Sequence, residues 1–270
     1  MKKAICTLMI LSVLSALAAC NAVGVDIYTY DTRNFNEAIG DVSPTSDIDE
    51  IVIDWVAGFV HVVTGTQDNI TVHESGVGKS ASVPLCYKVN NSTMTIAFAK
   101  NGTACSNLSK NLTVTIPADK LLTALTVKAV ASTVYVDSSV TERIKLEAVS
   151  GKVECNLNSV RKVDVETVSA SVKVRAAYAK EVNVETMSGA LSLNLPSFEE
   201  LEIETTSGDV NLALSKDASF TMTVSTVSGR LDKGDFSFTV SGNRYIHGTA
   251  GNKASVEIET TSGNVSLKYA

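Results

Sequence analysis

"IETTSGDVNL" (203–212) and "IETTSGNVSL" (258–267) are almost the same ten residues, written twice in one chain. Alignment on their shared Ser-Gly step reveals further copies of the same pattern. The aligned turn positions are Gly58, Ser132, Gly151, Ala170, Gly189, Gly208, Gly229 and Gly263. From 132 to 208 the successive copies are 19 residues apart. A short fixed period is typical of a stacked repeat architecture.

Apolar columns run through all the aligned copies. The position five residues before the turn always holds an aliphatic residue: Ile53, Val127, Leu146, Val165, Val184, Ile203, Val224 and Ile258. Polar residues alternate with these columns, which indicates strands with one buried face. Glycine at the turn fits a backbone with positive φ.

A two-strand unit of this length cannot bury its own apolar face, so the units must stack on one another. The sequence predicts an all-β, single-domain parallel β-solenoid (β-helix or β-roll) with rungs of about 19 residues. Ladders of like residues ~4.8 Å apart would line its interior. Right-handed coiling is expected, because parallel crossover connections have that hand.

The N-terminus has the pattern of an export signal. A basic start at 1–3 precedes an apolar run at 4–17, which is too short to span a bilayer as a helix. The following Leu-Ala-Ala-Cys step resembles a bacterial lipobox, in which Cys20 becomes the lipidated first residue. The alternative is an ordinary signal peptide with Cys20 incidental. We therefore expect an exported protein, lipid-anchored to the outer face of the bacterial membrane.

The chain divides by composition and by repeat spacing. The predicted segments are 1–19 (signal peptide), 20–47 (tether), 48–124 (irregular N-terminal rungs), 125–214 (regular rungs) and 215–270 (C-terminal rungs with an inserted loop). Without the signal peptide, 21 basic residues stand against 29 acidic ones, since Lys2 and Lys3 are removed from the 23. No basic stripe occurs, so nucleic acid and anionic lipid headgroups are poor partners.

Two cysteines lie in the non-repetitive part of the chain. Cys86 and Cys105 are candidates for a disulfide, which an exported location would permit. Their spacing does not resemble a zinc site. Cys155 falls in an aliphatic column and is predicted to be a small buried residue.

A column of carboxylates is the most unusual polar feature. Glu147, Glu166, Glu185 and Glu204 occur four residues before successive turns, on the solvent side of the predicted strands. Like charges in register destabilise neighbouring strands. A bridging hard cation such as calcium would offset this. The alternative is that the side chains spread into water, helped by Lys145. No other cofactor is predicted.

The inserted C-terminal loop carries Arg244, Tyr245 and His247, which make it a candidate interaction loop. A plain C-terminal cap is the alternative role. No catalytic residues are predicted, because the serines recur in the repeats as turn residues do and no nucleophile elbow is present. A polysaccharide-active β-helix enzyme remains an alternative.

The segments "IDWVAGFVHV", "LTVTIP", "VETVSA", "VETMSG" and "IETTSG" resemble bacterial β-strand-repeat domains of unknown function labelled "putative adhesins". The resemblance covers about 48–270. It implies a lipoprotein-anchored β-solenoid, and it extends to extracellular domains of phage-shock-type envelope-stress modules. It supplies no ligand residues. We therefore expect a non-catalytic cell-envelope lipoprotein that binds an envelope protein or glycan. The alternative is an accessory or sensor of an envelope-stress response, acting through a membrane partner. The oligomeric state is left open.

Overall fold

The computed structural model describes residues 27–44, 47–249 and 254–270. This part of the chain is all-β apart from one short 3-10 helix, Gly78–Ser82. The strands are β1 Asn36–Ala38, β2 Asp41–Val42, β3 Glu50–Gly65, β4 Thr71–Gly76, β5 Leu85–Asn90, β6 Thr93–Ala97, β7 Lys110–Pro117, β8 Leu122–Asp137, β9 Val140–Thr167, β10 Ser171–Thr186, β11 Leu191–Leu195, β12 Phe198–Thr205, β13 Val210–Leu214, β14 Phe220–Thr226, β15 Leu231–Asp232, β16 Thr239–Ser241, β17 Arg244–His247, β18 Ala254–Thr260 and β19 Val265–Tyr269.

The repeats form a β-solenoid-like stack in which each copy contributes two strand segments. We call the segments before the Ser-Gly turn the first stack and those after it the second stack. In the second stack, Val172 pairs in parallel with Val153 on one side and Leu191 on the other. The long strands β3, β8, β9 and β10 bend through a corner, so each contributes to both stacks.

One hydrophobic core runs through the described residues, from Tyr28 to Leu267. The aliphatic columns form it, because alternate side chains of each strand point inward and leave water. Val165, Val184 and Ile203 are almost completely buried. Cys155 is fully buried in its column, as the sequence predicts, and burial raises the pKa of its thiol.

Glycine is required at the turns for two reasons, positive φ and close packing. Both apply to Gly58 and Gly151, where a Cβ would lie 2.1 and 2.2 Å from a carbonyl oxygen of a neighbouring strand. Gly58 and Gly151 adopt positive φ, which favours glycine. At Gly189 and Gly208 no positive φ occurs, and the expected cause is wrong there. A Cβ at these two positions would lie 1.8 and 2.1 Å from a carbonyl oxygen of the neighbouring rung, so close packing excludes a side chain.

The two nearly identical stretches are direct neighbours in space. Ile203 pairs with Ile258 and Leu212 with Leu267, all in parallel register. Strand β18 also pairs with β14, so the last repeat of the chain is inserted between two earlier ones. Strand β3 is likewise inserted between β6–β7 and β8. The order of rungs in the stack therefore differs from the order in the chain at both ends.

Both ends are covered by antiparallel strands, so the prediction of a purely parallel solenoid is wrong. Strands β4 and β5 pair antiparallel with β7 and β6, and β17 pairs antiparallel with β14. A parallel stack has unpaired N–H and C=O groups at each end. Antiparallel strands from adjacent segments satisfy these groups at little cost in chain length.

The described part of the predicted tether, 27–44, belongs to the folded structure, which corrects that interpretation. Strands β1 and β2 pair with β5 and β4. The Tyr28 ring is buried, and its hydroxyl donates a hydrogen bond of 2.7 Å to Asp54 Oδ1. Burial of this polar contact fixes the segment to the N-terminal end of the stack. Cys20 lies outside the described residues.

Candidate functional site

The carboxylate column lies on the outer face of the first stack, and the structure divides it into two parts. Lys145 Nζ lies 2.7 Å from Glu147 and 3.0 Å from Glu166, so one ammonium group compensates both carboxylates. Lys128 adds a second ion pair to Glu147 at 3.3 Å. The N-terminal half of the column therefore neutralises itself.

The C-terminal half has no such compensation. Glu185 pairs in register with Glu166 and Glu204, and Glu204 pairs with Glu259. Within the described ranges, Glu185, Glu204 and Glu259 form no ion pair with a cation. Burial, together with the charges of Glu204 and Glu166, raises the pKa of the Glu185 carboxyl to about 7.

A metal centre is not formed by these side chains. Among the residues that the structure describes, no group of three or more His, Cys, Asp or Glu is arranged to hold one metal ion. Calcium prefers six to eight oxygen ligands around one point, and a flat row of carboxylates does not bring that many oxygens together. Calcium at the column stays a prediction.

The candidate interaction loop is part of the C-terminal cap. The ring of His247 packs against Phe220 and Phe236, and its two nitrogens contact the carbonyl oxygens of Ser237 and Lys216. Tyr245 and Phe238 also make a ring contact. Two of the three predicted side chains therefore stabilise the cap.

Arg244 is the exposed member of the loop. It borders a shallow depression of about 320 Å³ on the outer face of the first stack, together with Glu200, Glu202 and Glu257. This position places its charge beside the acidic half of that face.

Cys86 and Cys105 are both buried near the N-terminal end of the stack. The structure holds Cys86 as a thiol, and burial raises the pKa of that thiol. Cys105 Sγ lies 3.5 Å from the carbonyl oxygen of Thr103. A disulfide between the two cysteines in the exported protein stays a prediction.

The second stack carries a feature that the sequence interpretation missed. Phe59, His61 and Tyr135 form a continuous line of rings on its outer face, which we call the aromatic line. The ring centroids are 5.8 Å apart from Phe59 to His61 and 5.9 Å from His61 to Tyr135. Phe59 is 47% exposed. The line lies on paired strands, β3 and β8, and is therefore held rigidly.

Polar side chains border the aromatic line. The Tyr135 hydroxyl donates to Asp137 Oδ2 at 3.2 Å and accepts from Asn156 Nδ2 at 3.2 Å. On the next rungs, Lys152, Lys173 and Arg175 surround Glu154 at 2.8, 2.9 and 3.2 Å. Hydrogen bonds from Lys152 and Lys173 lower the pKa of Glu154 to about 2.

Three cations against one carboxylate leave this group, the cationic cluster, with a net charge of +2. It stands beside the aromatic line on the same face, whereas the other face is acidic at its C-terminal half. The two outer faces therefore differ in both charge and ring content.

The repeat alignment contained a signal for the aromatic line. Gly58 and Ser132 are neighbouring copies in that alignment, so His61 and Tyr135, each three residues later, must share a column. Inspection of the outward columns for rings, rather than for charges alone, would have found the contact.

Comparison with family models shows that the chain belongs to the Toastrack family DUF4097, with matches over 48–201 and 141–268. The resemblance to an adhesin-labelled family of unknown function is confirmed. A search of curated proteins found no match. In the described ranges, no helix is long and apolar enough to cross a membrane.

Solved structures of several bacterial proteins have a similar fold. A putative cell adhesion protein from Clostridium sporogenes ATCC 15579 is 15% identical, with a TM-score of 0.39 over 88% of this chain and 100% of its own. A putative adhesin from Bacteroides fragilis NCTC 9343 is 13% identical, with a TM-score of 0.46 over 87% and 98%. One from Parabacteroides distasonis ATCC 8503 is 17% identical, with a TM-score of 0.43 over 86% and 97%. Sequence identities and TM-scores this low do not indicate what this chain binds.

Proposed function

We propose that the chain is a non-catalytic cell-envelope lipoprotein that binds a glycan through the outer face of the second stack. In this proposal Cys20 carries the lipid, and 48–270 coil into one right-handed domain with rungs of about 19 residues. The aromatic line is the contact surface. The adhesin-type family and the export signal support this assignment.

The aromatic line is the observation that carries the proposal. Exposed rings on a flat sheet cost free energy in water, yet Phe59 is about half exposed beside two further rings. The apolar C–H face of a sugar ring packs on such a surface. The hydroxyl groups at its rim can bond to Asp137 and Asn156, which lie next to Tyr135.

The cationic cluster indicates the class of glycan. Lys173 and Arg175 lie two rungs from Tyr135 along the stack, within reach of a glycan that already covers the aromatic line. Ammonium and guanidinium groups favour carboxylate or phosphate substituents. We therefore expect an acidic polysaccharide as ligand.

The position of the aromatic line favours a glycan of the cell's own envelope. The line lies on rungs near the N-terminal end of the stack, at β3 and β8. Six residues, 21–26, lie between the lipidation site and Ile27, so seven residue steps separate Cys20 from the described chain. An extended chain of that length reaches at most ~25 Å. A lipid at Cys20 would hold the aromatic line close to the outer face of the membrane.

Binding to purified envelope fractions tests this function. The mature chain should be retained by acidic envelope polysaccharide, and Phe59→Ala should be retained much more weakly. Retention that is equal for Phe59→Ala and the wild type would remove the aromatic line from the function. Crosslinking in cells that recovers only an integral membrane signalling protein would favour the envelope-stress alternative. Soluble saccharide fragments released from the fractions would favour the enzyme alternative.

A further inference from the structure

Lys110 and Glu74 form a buried pair inside the N-terminal end of the stack, away from both outer faces. Lys110 begins β7, and Glu74 lies on β4, the antiparallel strand that covers β7. The side chains are 0% and 5% exposed, and Lys110 Nζ is in direct contact with Glu74 Oε1. Two ions so deeply buried are costly to desolvate.

The surroundings act in two directions on the Lys110 ammonium group, because burial disfavours its charge whereas two nearby aromatic rings favour it. Nζ lies 4.4 Å from the ring centroid of Phe98 and 5.3 Å from that of Trp55. Burial lowers the pKa of Lys110 and raises the pKa of Glu74, although their mutual contact opposes both shifts. Transfer of one proton from Nζ to Oε1 gives a neutral amine against a neutral carboxylic acid.

Hydrogen bonds orient both groups for reaction. The Leu85 N–H donates to Glu74 Oε2 at 3.2 Å, so this oxygen is held by a backbone donor. Nζ donates to the carbonyl oxygens of Val83, at 3.1 Å, and Phe98. The contact between Nζ and Oε1 lacks hydrogen-bond geometry. Two N–H bonds of Lys110 are thereby engaged by backbone carbonyl groups, and the nitrogen remains in direct contact with Oε1.

We propose that Lys110 and Glu74 condense after folding to an intramolecular isopeptide bond. The neutral amine attacks Glu74 Cδ, and the C=O electron pair moves to Oε2, which the Leu85 N–H stabilises. A proton passes from nitrogen to Oε1, the Cδ–Oε1 bond breaks, and Oε1 leaves as water. The ammonium and carboxylate are thereby converted to one amide and one water molecule, with no change of oxidation state.

The bond would join β4 to β7 and close the loop from 74 to 110 covalently. This loop forms the end of the stack from which the chain runs back towards Cys20. A lipid-anchored protein that holds a glycan transmits force through this end. A covalent link between its outermost strands would prevent them from separating under load.

Peptide mapping of the exported full-length protein tests the bond. The protein is denatured, digested with trypsin and analysed by mass spectrometry. We expect peptide 34–79 joined to peptide 101–120, with the summed mass less one water molecule and no cleavage after Lys110. Separate peptides, with cleavage after Lys110, would show an ordinary ion pair and overturn the proposal.

Matched pairs and variants control the measurement. Lys100 and Glu37 form an exposed ion pair at 3.1 Å. Because Glu37 shares peptide 34–79 with Glu74, the control is that trypsin still cleaves after Lys100 and that peptide 89–100 stays unlinked. Equal linkage there would mean dehydration during handling and would overturn the proposal. Lys110→Arg and Glu74→Leu should each yield no linked peptide. The wild-type map decides the question even where a variant fails to fold.

Discussion

The two outer faces of the stack are built from the same repeat and yet have different chemistry. On the first stack, Glu147 and Glu166 share the ammonium group of Lys145, whereas Glu185, Glu204 and Glu259 lie in register with other carboxylates. On the second stack, rings lie beside a cluster of net positive charge. The inward columns of both are largely aliphatic.

This difference shows which positions the repeat constrains. Inward positions must fill a ladder of fixed spacing, so each copy carries nearly the same residue there. Outward positions contact water and vary from rung to rung. We therefore expect a ligand to bind where an outer face carries exposed rings or unpaired charges instead of ordinary polar side chains.

The largest expected effect is on the second stack. Phe59→Ala should weaken binding of the acidic polysaccharide at least tenfold, because truncation of a central aromatic contact costs about 2 kcal/mol. Leu121→Ala is the matched control, since Leu121 is also exposed and apolar (57% exposed) but lies off the aromatic line. Affinity measurements on both variants decide the matter. An equal loss in both would contradict a specific role for the line.

On the first stack the expected effect is on the free energy of unfolding rather than on ligand binding. The pKa of Glu185 is raised from 4.5 to about 7, so its contribution is fully present below pH 4.5 and is lost as the pH rises through 7. The free energy of unfolding should therefore fall by about 1 kcal/mol between pH 5 and pH 8, after allowance for solvent screening.

Denaturant unfolding of Glu185→Gln at both pH values isolates this effect. The variant should lose that part of the pH dependence and exceed the wild type in stability at pH 8. Glu154→Gln is the control, because the pKa of Glu154 is lowered and its ionised form is the stabilising one, so its loss should lower the stability by the same amount at pH 5 and pH 8. A wild type that is more stable relative to Glu185→Gln at pH 8 than at pH 5 would refute the assignment.

A smaller effect is expected at the cationic cluster. Lys173→Ala should weaken polysaccharide binding about two- to threefold and reduce its dependence on salt, because the side chain is partly exposed and its charge is screened. Lys216→Ala, far along the chain from the cluster, serves as the control. An unchanged salt dependence in the first variant would exclude the cluster from binding.

The smallest expected effect concerns calcium at the uncompensated carboxylates. If the dissociation constant is on the order of 1 mM, then calcium at that concentration stabilises the fold by about 0.4 kcal/mol. Thermal melts with calcium or chelator should differ slightly for the wild type and agree for Glu204→Gln. Identical melts for the wild type would remove the cation from the column.

The repeat and its buried columns were predictable because they follow from a period in the sequence. Strand alternation also placed Glu185 and Glu204 outward and Cys155 inward, as found. The order of the end rungs was not predictable. Repeat spacing does not say whether the copy at 258–267 extends the stack or is inserted beside 203–212, because both arrangements bury the same residues.

Contacts between side chains from distant parts of the chain were also beyond the sequence. Lys145 was named from the sequence as a neighbour of the column, but its simultaneous contact with Glu147 on its own rung and Glu166 on the next one depends on its rotamer. The Lys110–Glu74 pair forms because β4 turns back antiparallel on β7, which no repeat spacing indicates. Both contacts depend on the packing of the irregular segments and on the rotamers of the side chains.

The most direct test of the aromatic line uses the three histidines of the chain. His61 lies within the line, whereas His73 lies on β4 and His247 in the C-terminal cap. Their ring signals can be followed by NMR during titration with the acidic polysaccharide. The account predicts that the His61 signal shifts with the same apparent affinity as binding, while His73 and His247 stay in place. Binding that moves His247 and leaves His61 unchanged would contradict it.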